Sequence, residues 1–373
     1  MPKGLRLLLA AGGTGGHLFP GIAVAEAVQR EKGAEVLFVG TANGLEKDVL
    51  PRLGFPLRLI PAQQLRGRNW LGMVRAWWAA FRAVGVAWRV VRDFAPDVIF
   101  SIGGYAAGPT VLAGWGRRVP CVLLEPNAVP GLTNRLLGRI ATKICVGFSR
   151  TVAAFPVHKT VHTGNPVRWV GDLMPSSDRP QSTSPTLFIF GGSAGARRLN
   201  QVLPRAVALL HKEQLRLRVI HQTGRVDYAE VVALYKSIGV QAEVMAFIDN
   251  MREVYAAADL VICRAGALTI AELTVLGKPS ILVPYPYAAD DHQRINAEVL
   301  EQNGAARMIL DAELTPERVS EEIRALITDR TRLAAMARAA VALGKPEATR
   351  AVVQECLACV TSSGKVEMEA IPR

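Results

Sequence analysis

Short, nearly continuous apolar runs at 5–10, 36–39, 98–101, 119–124 and 143–146 alternate with longer stretches whose apolar residues recur every three to four positions. Buried strands of a parallel sheet read as unbroken apolar runs, and the helices that cross over between them carry the longer period. The rhythm stops at a polar stretch rich in Pro and Ser, MPSSDRPQSTSP, and restarts with runs at 187–190, 217–221, 242–246, 260–263 and 280–283. The pattern therefore predicts two doubly wound α/β domains in tandem. The turn residues Gly164-Asn165-Pro166, just before the composition changes, place the boundary. An N-terminal domain then covers 1–164 and a second domain 165–342, with a helical tail over 343–373.

Length agrees with this division, since 373 residues exceed what one core usually organises. The five cysteines, Cys121, Cys145, Cys263, Cys356 and Cys359, are odd in number and scattered, which argues against a disulfide framework and for a reducing compartment. Cys356 and Cys359 form one CxxC with no second pair, and in a helical pattern they read as core residues rather than metal ligands. The N-terminal apolar run stops at glycines after about seven residues, too short for a secretion signal or a membrane span, so a cytoplasmic chain is expected. Forty-four Lys and Arg against 32 Asp and Glu leave a formal charge of +12. Such a charge attracts phosphates, nucleic acid or anionic lipid without choosing among them.

Three glycine clusters narrow the choice. GGTGGH (12–17) and GGSAGA (191–196) each follow a predicted strand and open a predicted helix, and Gly103-Gly104-Tyr105 with Gly108-Pro109 follows a third. A strand running through glycines into a helix aims backbone N–H groups at an anion. One cluster alone is as often a plain tight turn, but three at sheet ends mark a ligand rim. None fits the dinucleotide fingerprint GxGxxG with its acidic partner, and no GxxxxGK[ST] occurs, so nicotinamide redox chemistry and P-loop hydrolysis are disfavoured. His17, at the end of the first loop, is the candidate general base. In the second half, Gly266 breaks strand from helix, and Glu272 is expected in the first turns of that helix, where a carboxylate can accept two bonds from a ribose diol.

The segment WLGMVRAWWAAFRAVGVAWRVVR (70–92) predicts a helix with Arg75, Arg82 and Arg89 on one face. Trp77, Phe81, Val84, Trp88 and Val91 make an apolar stripe, with Trp78 beside the arginines. Valines and alanines here are expected to pack on the sheet. Trp77, Trp78 and Phe81 beside Arg75 and Arg82 suit a membrane interface, and the charges forbid a span. Trp115, Arg117, Arg118, Arg135 and Arg139 would extend that surface. A nucleic-acid partner is not expected, because the compact basic modules and strand-borne aromatics of such proteins are missing.

The ordered set GGTGGHLFPGIAVAE (12–26), GGYAAGP (103–109), GLTNRLL (131–137), TGNPVR (163–168), GGSAGARRLN (191–200), ADLVICRAGALTIAEL (258–273) and DHQRINA (291–297) resembles the MurG-type N-acetylglucosaminyltransferases of peptidoglycan synthesis, over roughly residues 5–343. The resemblance implies the two-domain GT-B fold, with two Rossmann-like parallel-sheet domains facing a cleft, and a C-terminal helix over 347–361 that returns to the first domain. It implies inverting transfer of N-acetylglucosamine from UDP-GlcNAc to the muramoyl 4-hydroxyl of lipid I, giving lipid II, at the cytoplasmic face of the inner membrane. By position, Thr14, Gly15 and Gly16 would face the sugar and its diphosphate, and Asn127 the sugar hydroxyls. Arg168 and Ser193 would meet phosphates, with Arg197 close by, Ile248 the uracil, Ala267, Leu268, Thr269, Ile270, Ala271 and Glu272 the phosphate and ribose, and Gln293 the sugar. Gly103, Gly104, Tyr105 and Glu125 would lie on the acceptor side. No cofactor or tightly bound metal is expected, as no DxD-like pair stands beside a sheet end in the second half. Two departures stand out. The family often has His-Glu-Gln-Asn-Gly where this chain has Leu124-Glu125-Pro126-Asn127-Ala128, which leaves His17 as the candidate base. The loop before Gln293 is also one residue longer than in some relatives. The alternative is another GT-B transferase with a lipid acceptor, such as a diacylglycerol glycosyltransferase.

Overall fold

In the computed structural model, which describes residues 4–42, 44–62, 70–168, 184–192 and 194–362 and leaves out the side chains of 70–78, 80 and 362, the apolar runs are strands. The chain forms two compact units, 1–168 with 347–373, and 169–346. The first unit thus ends four residues beyond the Gly164 turn.

The first unit contains β1 (Arg6–Ala11), α1 (Gly15–Lys32), β2 (Glu35–Gly40), α2 (Glu46–Arg52), β3 (Leu57–Leu59), α3 (Trp70–Phe94), β4 (Val98–Gly103), α4 (Ala107–Gly116), β5 (Cys121–Glu125), α5 (Leu132–Leu137), β6 (Lys143–Val146) and β7 (Thr160–His162). Its strands are all parallel, in the order β3-β2-β1-β4-β5-β6-β7. Leu7, Leu8 and Leu9 pair with Val98, Ile99 and Phe100. Because successive side chains point to opposite faces, Leu7 and Leu9 enter one core with Val98 and Phe100, while Leu8 and Ile99 enter the other. Both faces are covered, and so the strand sequences show no polar alternation.

α3 buries its small residues. Its buried face is Ala83, Ala87, Val91 and Phe94, whereas Phe81 is 78% exposed and Trp88 39%. Small residues line the seam because α3 packs closely along α4. The alanines and Val91 thus pack as expected and Phe81 faces outward; of the apolar stripe's members with described side chains, only Val91 is fully buried.

The second unit holds β8 (Thr186–Phe190), α6 (Arg197–Lys212), β9 (Arg218–Gln222), α7 (Tyr228–Ser237), β10 (Glu243–Met245), α8 (Met251–Ala257), β11 (Leu260–Cys263), α9 (Ala267–Val275), β12 (Ser280–Leu282), α10 (His292–Gln302), β13 (Ala306–Met308), α11 (Pro316–Ile327) and α12 (Arg330–Leu343). Its parallel order is β10-β9-β8-β11-β12-β13. The last helix, α13 (Ala348–Ser362), belongs to the first unit and lies against α1, β4 and β6. Cys356 and Cys359 face inward there beside Cys145 in the apolar core, as free thiols. Burial pushes the Cys145 thiol up to about 12, which suits a packing role and not a reactive one.

In each sheet the first strand of the unit has later strands on both sides, so the winding reverses between β1 and β4 and again between β8 and β11. Loops leaving the C-terminal ends of such strands diverge and leave a crevice, the usual ligand position in open α/β sheets.

Candidate active site

At the first reversal the chain leaves β1 through Gly12 and Gly13 and enters α1 at Gly15. Gly13 has φ +98°, a conformation that glycine adopts without strain. The carbonyl of the N-cap residue Thr14 accepts from the backbone N–H groups of His17 and Leu18. The side chains of Thr14 and His17 meet through Oγ1 and Nδ1 at 3.1 Å. α1 has no acidic residue of its own in its first turn.

Across the reversal, β4 ends in Gly103 and Gly104, both at positive φ. A Cβ on Gly104 would collide with the Gly12 carbonyl, and one on Gly103 would lie 3.6 Å from His17 Nε2 and 3.5 Å from Asn134 Nδ2. The two glycine turns therefore touch, with the imidazole between them. Tyr105, next in sequence, is exposed.

β5 ends at Glu125, which is 2% exposed. Its Oε1 accepts from the backbone N–H and the Nδ2 of Asn127, and its Oε2 from Gly131 N–H and Asn134 Nδ2. Burial raises its pKa, and these four bonds oppose the rise. Both oxygens of Glu125 close the loop 126–134, and the residue holds Asn127 in place.

Arg168 ends the first unit in an ion pair. It donates from Nη2 to Glu26 Oε1 at 2.7 Å and from Nε to Oε2 at 3.4 Å, tying the end of the first unit to α1. An incoming phosphate would have to compete with this carboxylate.

In the second unit, β8 runs into Gly191 and Gly192, and Gly195 packs so tightly on Thr223 and Gly224 that a Cβ would overlap the Thr223 carbonyl. Gln222 Nε2 donates to the Gly192 carbonyl, and Asn200 Nδ2 to the Thr223 carbonyl. Arg197 begins α6 and is exposed, while Ser193 falls outside the described residues.

β11 passes through Arg264 and Ala265 to Gly266, the N-cap of α9, whose carbonyl accepts from Ile270 N–H. Ala267, Leu268, Thr269 and Ile270 form the first turn, and none is acidic. Glu272 lies in the second turn of α9, within its first turns as expected, and its carboxyl accepts from Tyr255 Oη at 2.9 Å. Burial pushes its pKa up to about 7 despite that bond. Desolvation therefore outweighs the helix dipole expected to favour the charged form. Ile248 is buried after β10, and Gln293 Oε1 accepts from Tyr285 N–H.

Residues 7–146 match the glycosyltransferase family 28 N-terminal domain and residues 186–352 its C-terminal domain. The chain belongs to glycosyltransferase family 28. It is 43% identical over 358 residues to the UDP-N-acetylglucosamine--N-acetylmuramyl-(pentapeptide) pyrophosphoryl-undecaprenol N-acetylglucosamine transferase of Geobacter sulfurreducens, covering 95% of this chain and 98% of that one. Its identity to the enzyme of the same name from Anaeromyxobacter dehalogenans is 45% over 359 residues, with 95% and 93% covered. The crystal structure of Acinetobacter baumannii MurG superposes with a TM-score of 0.76 at 33% identity, covering 95% of this chain and 99% of that one. A UDP-N-acetylglucosamine 2-epimerase at 14% identity and a TM-score of 0.70 shares the fold alone. This family 28 chain thus has the two-domain α/β GT-B fold.

Three residues of this family 28 chain escaped sequence reasoning: Glu46, Asn134 and Tyr255. Each acts on a sequence-predicted residue from a distant element, and only Asn134, within GLTNRLL, lay inside a quoted motif.

Of the residues expected at a membrane interface, Trp77, Trp78 and Arg75 have no described side chains. Phe81, Leu112, Trp115, Leu132 and Leu136 are exposed apolar residues on α3, α4 and α5, among exposed Arg82, Arg89, Arg117, Arg118, Arg135 and Arg139. The Arg117 guanidinium lies 5.5 Å over the Trp88 ring. No helix of the described residues is long and apolar enough to cross a membrane.

Proposed function

We propose that the chain transfers N-acetylglucosamine from UDP-GlcNAc to lipid I, the undecaprenyl-pyrophosphoryl-N-acetylmuramoyl pentapeptide, forming lipid II. The observation that carries this reading is the 43–45% identity, along 95% of the chain, to transferases named for that donor and acceptor.

The first unit handles the acceptor and the proton. With Nδ1–H donating to Thr14 Oγ1, the basic lone pair of His17 sits on Nε2, at the seam of the two glycine turns. The acceptor 4-hydroxyl attacks the anomeric carbon, its proton passes to Nε2, the bond from that carbon to the diphosphate breaks, and UDP leaves with inversion. In the first unit, Gly15 and Gly16 at the α1 N-terminus and Arg168, in exchange for Glu26, are the groups suited to the charge growing on a diphosphate; in the second unit, the first turn of α9 and Ser193 are the phosphate-binding groups of this reading. Asn127 and Gln293 serve the sugar, Ile248 the uracil and Glu272 the ribose, with Gly103, Gly104 and Tyr105 on the acceptor side. In this reading backbone donors and Arg168 take the place of a tightly bound metal, so turnover is expected to survive EDTA, and its abolition would refute this part.

The exposed apolar and basic residues on α3, α4 and α5 dock the enzyme on the anionic cytoplasmic leaflet, where lipid I is presented.

The deciding experiment offers the purified enzyme lipid I or diacylglycerol as acceptor, and UDP-GlcNAc or UDP-glucose as donor. Product is expected from lipid I with UDP-GlcNAc. Preference for diacylglycerol would overturn the assignment.

A further inference from the structure

Glu46 begins α2 and is fully buried, although nothing in its sequence surroundings singles it out. Three donors converge on its carboxylate. Gly13 N–H reaches Oε2 at 2.8 Å, while Thr41 N–H and Thr41 Oγ1–H reach Oε1 at 2.7 and 3.1 Å. Gly12, Gly40 and Gly44 wall it in, and a Cβ at any of the three would overlap the Glu46 side chain. The missing side chains at three glycines, from the ends of β1 and β2 and the turn before α2, thus make one slot of carboxylate size.

A buried carboxylate costs several kcal/mol to desolvate unless it is hydrogen-bonded. Here the compensating bonds run to the loop that carries His17. Glu46 fixes the Gly13 peptide, Gly13 leads into Thr14, and Thr14 holds His17 through Oγ1 to Nδ1 and through its carbonyl to the His17 N–H. A glycine-rich loop has little stiffness of its own, so an internal anchor is needed to hold an imidazole in place.

We infer that Glu46 is a positioning residue for His17, a carboxylate seated in a glycine slot that locks the first glycine loop in its working conformation. The inference rests on the reading of His17 as the base. Loss of the Gly13 bond lets the loop shift, and a shift of about 1 Å in a catalytic group lowers turnover roughly 100-fold. The residues read as uracil and ribose contacts, Ile248 and Glu272, lie in the second unit, so donor affinity is expected to change little.

The test is a kinetic cycle with lipid I and UDP-GlcNAc on the full-length enzyme, comparing wild type, Glu46→Gln, His17→Ala and the double variant, with thermal unfolding of each. Glu46→Gln is expected to lower kcat roughly 10- to 100-fold and leave the donor KM within about twofold, and the double variant to be no slower than His17→Ala. Gly44→Ala is the second route, because it drives a methyl into the carboxyl and displaces it without removing the charge. It should reproduce the kcat loss and the non-additivity, and it decides the matter if Glu46→Gln does not fold. Full additivity of either substitution with His17→Ala, or unchanged kcat in a folded variant, overturns the positioning role. An unaffected His17→Ala enzyme instead removes the base assignment itself.

Discussion

The hydroxyl of Tyr255 donates to Oε2 of Glu272 across 2.9 Å, within a buried aromatic cluster in which Tyr255 meets Phe188 and Phe190 edge to face. The apolar setting keeps a proton on Glu272 up to about pH 7, against an ordinary value of 4.5. For a carboxyl raised in the folded state, the stability it contributes is present below the unfolded value and lost as pH rises through the folded one. Unfolding free energy should therefore fall between pH 4.5 and about 7, by up to about 1.4 kcal/mol per pH unit, and Glu272→Gln should flatten that slope in urea titrations.

Nucleotide binding reports the same carboxyl from the other side. If the ribose hydroxyls donate to Glu272, only its charged form accepts both, so UDP should bind more tightly as pH rises through about 7. Tyr255→Phe removes a bond that favours the charged form and should move this midpoint upward. Calorimetric titration across pH checks both, and pH-independent UDP affinity would take Glu272 out of the ribose site.

His17→Ala should lower turnover roughly 10²-fold or more while donor binding survives, since the base acts on the acceptor proton. The measurement is steady-state kinetics with lipid I beside UDP titration. Equal loss of binding and turnover would point to a role in holding the substrate.

Much of this architecture was legible beforehand, and the rest failed for identifiable reasons. Runs such as 260–263 and 143–146 coincide with β11 and β6 because strands buried on both faces leave an unbroken apolar signature. β3, β7 and β13 passed unnoticed because three residues carry too few positions for a period, whereas β10, as short and also at an edge, lies inside the longer run 242–246. On α3, the alanines and Val91 expected to pack do so, at Ala83, Ala87 and Val91, because close helix contact favours small side chains. The glycine loops and Glu272 were visible as motifs. Glu46 was not, because a single Glu at a helix start reads as a helix charge, and its partner Gly13 lies 33 positions earlier.

Arg168 and Glu26 give a prediction in which two substitutions diverge. Glu26 holds the guanidinium at the end of the first unit, so both Glu26→Ala and Arg168→Ala should lose the pair, on the order of 1 kcal/mol of stability for a half-exposed bridge. Glu26→Ala also releases Arg168, so the donor KM should hold or fall. Arg168→Ala removes a phosphate partner, so kcat/KM should drop at least about tenfold. Matching kinetics in the two variants would confine Arg168 to a structural tie.

The exposed face of α3, α4 and α5 can be tested apart from catalysis. Phe81 and Trp115 are 78% and 58% exposed, and exposed apolar side chains ringed by arginines are stabilised at a lipid interface by two separable effects, burial of the ring and attraction of the charge. Phe81→Ser and Trp115→Ser should weaken binding to all vesicles. Arg82→Gln and Arg118→Gln should weaken binding only to anionic ones, each by about 1 kcal/mol or roughly fivefold, and less at high salt. Co-sedimentation with phosphatidylglycerol-containing and purely zwitterionic vesicles separates the two, while turnover on a short-chain, water-soluble lipid I analogue should be unchanged in all four variants. If the arginine variants lose activity on that soluble acceptor, the basic residues bind substrate directly and the membrane assignment of this face fails.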